Sequence, residues 1–193
     1  FKIEGSVGGN QDWFRDFWMK KGGCGAVTAC DCCIYFAREF GYENLYPYDS
    51  QNLTKESFIA FSKIMKPYLS PRIGGIDTLE IFMDGLSKYL RDCGETRLSM
   101  RGLYSSCSLV DFKMAVRTQL DKKLPIPVLI LNHRNSRLKD YIWHWFWLAD
   151  YQDLANACLV NTVTYGEQHW LSLDELQDSV YEKKAVSFYL TEQ

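Results

Sequence analysis

Histidine is scarce in this sequence: 193 residues contain 3, at positions 133, 144 and 169. Any imidazole chemistry must be built on one of them. An excess of either charge is also lacking. Lys and Arg number 22 against 24 Asp and Glu, a net charge of −2, so no basic face for nucleic-acid phosphates is implied. Long apolar runs are missing. The longest spans residues 124–131 and is broken by Pro125 and Pro127, far short of the ~20 residues of a membrane-crossing helix. Repeats, low-complexity tracts and a signal-peptide pattern do not appear. The chain opens on Phe1 rather than Met, from which a trimmed start is expected. The 7 cysteines are an odd number in a chain that is not small, which argues against a disulfide scaffold. Mostly reduced thiols and a cytoplasmic setting are the expectation.

What is present suits a folded domain. Hydrophobic residues make up 47% and aromatics 15%, with 6 Trp; aromatics bury much area each, so a substantial core follows. The length fits a single domain over residues 1–193. Helical periodicity dominates the first part. Ala26, Cys30, Cys33, Ala37 and Phe40 form a stripe opposite Thr28, Asp31, Tyr35, Arg38 and Glu39, and Gly41 ends that helix. Further helices are expected from Thr54 to Lys66, from Asp77 to Asp92, and from Ser108 to about Lys123, where Asp111 completes a capping pattern. After Pro125 the period becomes 2. Strands are expected at residues 126–131, 141–149, 157–165 and 185–190, with a short helix capped by Ser172. The order predicts an α+β fold, with a helical lobe over about residues 1–124 and an antiparallel sheet lobe over about residues 125–193.

Four cysteines crowd residues 24–33. A structural zinc site needs four ligands from two separated pairs; Cys30, Cys32 and Cys33 are too tightly spaced, and Cys93, Cys107 and Cys158 stand alone. Cys30 and Cys33 read as small core hydrophobes, and Cys32 as bordering the polar face. Cys24 differs. It opens the helix among Gly22, Gly23 and Gly25, where free N–H groups favour an anion such as a thiolate. A buried cysteine in a glycine-rich turn fits the same residues. A free thiol has a pKa of ~8.5, and the helix terminus alone contributes ~0.3–1 kcal/mol, so a reactive Cys24 needs an imidazole.

His133 lies in a polar turn with Asn132, Arg134 and Asn135 and reads as solvated. His169 precedes Trp170 and the Ser172 cap and reads as a surface residue. His144 lies mid-strand on the face of Ile142, Phe146 and Leu148, with Trp143, Trp145 and Trp147 on the other. It is either a hydrogen-bonded core histidine or a base in a semi-dry site. A turn centred on Gln152 and Asp153 sets His144 opposite Asn161, whose amide would orient the ring. Gln11 is a candidate second donor, beside the Cys24 amide, to an oxyanion. The tryptophan stripe reads as core packing or as a docking surface.

Gln11, Cys24, His144 and Asn161, in that order, resemble the papain-like cysteine peptidases. The Cys24–Gly25 pair opening a helix and the short step to Asn161 are closest to the bacterial double-glycine peptidase branch, which trims bacteriocin leaders. Where the papain signature reads Cys-Gly-Ser-Cys-Trp, this chain has Cys24-Gly25-Ala26-Val27-Thr28. The resemblance implies a cleft between two lobes, a peptide or protein substrate, and no metal or organic cofactor. It implies Cys24 as nucleophile, His144 as base and acid, Asn161 as orienting residue, and Gln11 with the Cys24 amide holding the oxyanion. Acyl transfer to an amine, as in transglutaminases, would use the same residues, and an inactive peptide-binding domain on this fold is a further reading.

Overall fold

A computed structural model describes residues 1–104, 108–177 and 183–190; Cys107 lies outside these. A short hairpin of β1 (Lys2–Ile3) and β2 (Ser6–Val7) precedes helix α1 (Phe17–Gly22), then α2 (Cys24–Glu39), α3 (Lys55–Met65) and α4 (Leu79–Asp92). Strand β3 (Leu98–Tyr104) and helix α5 (Leu109–Asp121) lead into β4 (Ile126–Ile130), β5 (His144–Leu154), β6 (Ala157–Thr164), β7 (Glu167–Ser172), α6 (Leu173–Gln177) and β8 (Lys183–Leu190). The expected helices form where their caps put them. Thr54, Thr78 and Ser108 each accept a backbone N–H three residues on, satisfying a donor the helix cannot.

The six longer strands make one antiparallel sheet in the order β3-β8-β4-β5-β6-β7. Besides the short β1–β2 hairpin, two of these six strands escape the sequence pattern, β3 and β7, and both lie at sheet edges. An edge strand is half solvated, so its apolar alternation is weak. β3 also comes from the stretch expected to be helical, so the sheet draws strands from both parts of the chain. The strand expected over residues 141–149 starts later, at His144, because residues 136–141 wind into a 3-10 turn.

Helix α2 packs on one sheet face, against Leu129, Trp145, Val186 and Phe188. Helices α5 and α6 cover the other, over Ile126, Val128, Ile130, Phe146 and Leu148. The result is a mixed helix and antiparallel-sheet fold in three layers. The two-sided helix expected at α2 is corrected: 13 of its 16 residues are buried, because α3 and the 3-10 turn Glu43–Leu45 pack on it as well as the sheet. Cys30 and Cys33 are core residues as expected. Cys32, expected at the polar border, is 0% exposed, and Thr28 and Asp31 are buried too. The six described cysteines are free thiols. No helix among the described residues is long and apolar enough to cross a membrane.

Asp31 ties the layers together. Its carboxylate accepts from Gly9 N (2.8 Å) and from the Trp147 indole N–H (3.1 Å). Burial nonetheless pushes its pKa up to about 7, against the pull of those two donors. The folded protein thus holds a proton that the unfolded chain releases near pH 4, so Asp31's contribution to stability falls as pH rises from about 4 to about 7. His144, pushed down by burial to about 4, acts in the opposite sense over about pH 4–6.5. The two slopes oppose each other, so a variant isolates the first. Asp31→Asn is expected to gain on the wild-type chain by on the order of 4 kcal/mol between pH 4 and 7. Urea unfolding of both proteins across that range measures it, and a pH-independent difference would refute it.

Candidate active site

Gly23 closes α1 and caps α2. Its N–H donates to Met19 O (2.9 Å), and a Cβ there would stand 2.2 Å from that oxygen. Only glycine permits a one-residue joint between the two helices, and that joint sets Cys24 at the first position of α2. Burial raises the Cys24 thiol; the backbone N–H of Trp145, and then those of Gly25 and of Cys24 itself, favour the thiolate without offsetting it. Trp145 directly follows His144 in β5.

His144 is the first residue of β5, opposite Ile130, and is buried. Its Nε2 bonds Thr164 Oγ1 at 2.6 Å, and its Nδ1 meets the Tyr165 hydroxyl at 3.3 Å. The Tyr165 ring stacks on the imidazole, with centroids 4.5 Å apart and planes 4° apart. That phenol also feels Cys24 and Asp12, whose charges add to the burial that pushes it up to about 12. His144 and Tyr165 thus form one stacked, hydrogen-bonded unit.

Backbone strain brackets the same ring. Trp143 (φ +53°) and Tyr165 (φ +50°) both adopt left-handed conformations, which cost bulky residues ~1–3 kcal/mol and gather at functional sites. Tyr165 and Gly166 (φ +77°) form the two-residue turn between β6 and β7, a place usually held by Asn or Gly. The turn is anchored from outside: Asn10 Nδ2 donates to Tyr165 O (2.7 Å), and Gly166 N to Gly9 O (3.0 Å).

Asn161 is not opposite His144. The β5–β6 turn falls at Ala155 and Asn156, and the ladder slips by one at Ala149, so Asn161 pairs with Asp150 while Leu148 pairs with Thr162. His144 shares its face with Phe146 and Leu148, and across the ladder with Thr162 and Thr164; Asn161 projects from the opposite face. Its Oδ1 is buried without a partner among the described residues. The side chain bonded to His144 Nε2 is Thr164. Gln11 opens a 3-10 turn (Gln11–Trp13) between Asn10 and Asp12, both of which act on Tyr165. Its own Oε1 is buried and has no partner among the described residues.

The expectation of a thiolate held by an imidazolium is also corrected. Burial moves the Cys24 pKa up and the His144 pKa down, so the pair rests as thiol and neutral imidazole. His133, expected in solvent, is 7% exposed. Its Nδ1 accepts from Asn135 N (2.9 Å), which leaves Nε2 to donate to Glu175 O (2.9 Å). His169 is exposed on β7, 3.3 Å from the Glu167 carboxylate. The tryptophan stripe divides: Trp145 and Trp147 are core, whereas Trp143 is 58% exposed.

A groove of about 310 Å³ opens beside Cys24, between α1, Trp143 and the segment Arg72–Ile76. Thr164 and Tyr165 escaped the sequence reading. A Tyr–Gly pair followed by a polar stretch is a weak hairpin signal, and Thr164 gains meaning only from the register.

No protein-family model and no curated protein matches the chain. Among solved structures it is similar to the crystal structure of the Pseudomonas avirulence protein AvrPphB. Identity is 11% over 95% of this chain and 98% of that one, with a TM-score of 0.36. A likeness that loose decides neither fold nor chemistry.

Proposed function

We propose that the chain is a cysteine peptidase or amidase of the papain-like kind, with Cys24 as nucleophile, His144 as base and Thr164, in place of Asn161, as the orienting residue. One observation supports this reading. Cys24 stands at a helix N-terminus where the Trp145 N–H favours its thiolate, and Trp145 directly follows His144, whose Nε2 is bonded to Thr164 at 2.6 Å. With Nε2 donating to Thr164, Nδ1 carries the ring's lone pair, and the Tyr165 hydroxyl that meets it at 3.3 Å must swing away before Nδ1 acts as a base. That nitrogen takes the thiol proton as sulfur adds to an amide carbonyl, then delivers that proton to the leaving amine. Water resolves the thioester; an amine in its place would give acyl transfer. The Cys24 N–H, with Gln11 as a second candidate donor, faces the developing oxyanion. The relation to the double-glycine branch rests on the Cys24–Gly25 motif.

A second reading has its own support. Tyr165 covers the His144 ring and occupies Nδ1, as suits a domain that binds peptides without cleaving them. Iodoacetamide alkylation, mapped by mass spectrometry, separates the readings. The peptidase reading expects Cys24 to react ahead of Cys30, Cys32 and Cys33. Because the resting pair is neutral, the rate should climb steadily with pH, with no acid-side plateau. It also expects Cys24→Ala to lose cleavage of a casein or peptide substrate. Retained cleavage in that variant, or equal labelling of all four thiols, would refute it.

A further inference from the structure

The groove beside Cys24 is lopsided in two respects. Its rim carries three large apolar side chains that remain in solvent: Trp18 at 49%, Ile73 at 91% and Trp143 at 58% exposure. Exposed apolar groups clustered around a concavity mark a binding surface. Trp143 is held there by a strained backbone, a cost that core packing does not explain because its ring lies outside the core. The charged residues lining the groove are Lys21 and Arg72, and no Asp or Glu lines it. Neither cation forms an ion pair with a carboxylate among the described residues. The chain as a whole is slightly acidic, so this local excess of positive charge runs against its composition.

We infer that the groove selects peptides presenting a bulky aliphatic or aromatic side chain beside an acidic residue. This rests on the peptidase reading only for the placement of the scissile bond at Cys24; the recognition itself needs no turnover. The apolar side chain fills the space between Trp18, Ile73 and Trp143. The neighbouring carboxylate meets Lys21 and Arg72, so no salt bridge among the described residues has to break.

The test separates recognition from chemistry. Fluorescein-labelled octapeptides with a central Asp-Phe, Lys-Phe, Asp-Gly or Lys-Gly are titrated against Cys24→Ala and followed by anisotropy. Asp-Phe is expected to bind roughly tenfold or more tighter than Asp-Gly, and about 2–5-fold tighter than Lys-Phe for each cation engaged. The charge preference should weaken in salt and reverse in a Lys21→Glu/Arg72→Glu protein. Equal affinities for the four peptides, or an Asp preference that survives the double charge reversal, would overturn the inference. Iodoacetamide labelling of Cys24 in the wild-type chain reports on the nucleophile independently. Fast labelling with indiscriminate peptide binding would reject the groove's selectivity and leave the peptidase reading intact. Selective binding with an inert Cys24 would do the reverse.

Discussion

Trp145→Ala is expected to remove most of the folding stability. The ring is 1% exposed, stacks on Phe82 with centroids 4.2 Å apart, and donates its indole N–H to Ile76 O at 2.6 Å. Truncating a buried aromatic costs roughly 3–5 kcal/mol. The Ile76 carbonyl is then left unpaired, at a further ~1–3 kcal/mol. Against a typical total of ~5–15 kcal/mol, the variant should unfold at far lower urea, as read out by far-UV circular dichroism. The same indole pins Ile76, which overlies Gly25, so the groove should loosen before the whole molecule does. Trp145→Phe retains the stacking and should lose less. Trp143→Ala, at an exposed position, should change stability by about 0.5 kcal/mol or less. A loss below about 1 kcal/mol in Trp145→Ala would show that this ring does not join the layers.

The second large effect is on turnover, and it distinguishes the observed site from the one expected from sequence. His144→Ala should reduce kcat/KM by ~10²–10⁴, the usual worth of a positioned base. Thr164→Val keeps the shape but removes the 2.6 Å bond to Nε2. Losing such a bond is worth ~1–3 kcal/mol, or roughly 5–150-fold in rate. Because Thr164 acts through the imidazole, its loss should also shift the pH profile of kcat, and Thr164→Ser should restore both. Asn161→Val removes a buried carbonyl that has no partner among the described residues and is not bonded to either ring nitrogen of His144, so activity should stay within about twofold. The reverse ranking, with Asn161→Val crippling and Thr164→Val silent, would restore the triad expected from sequence and dismiss the observed one.

Some features were legible in the sequence because their causes are local. The helix after Cys24 is marked by its apolar stripe, and α3, α4 and α5 by capping side chains one turn from their partners. The buried strand at Ile126–Ile130 and the aromatic strand after His144 are marked by composition. Other features have distant causes. α2 is buried almost all round because α3 and the 3-10 turn Glu43–Leu45 pack on it as well as the sheet, which converts Thr28, Asp31 and Cys32 into core residues. The edge strands β3 and β7 carry little apolar signal because water covers part of them. His133 is buried only because Glu175, 42 positions later, supplies an acceptor.

The candidate site shows the same division. Sequence by itself singled out Cys24, through the glycines that let it open a helix, and His144, as a polar ring among apolar neighbours. Which residue serves that ring was decided only in three dimensions. The hairpin turn lies at Ala155 and Asn156, and one extra residue intervenes at Ala149. In a pleated ladder an odd shift sends every side chain to the other face, and that shift exchanges Asn161 for Thr164. Whether the sulfur and the imidazole carry charge was likewise a tertiary matter. Burial, which depends on all the layers at once, outweighs the helix terminus and the nearby N–H groups and leaves both neutral.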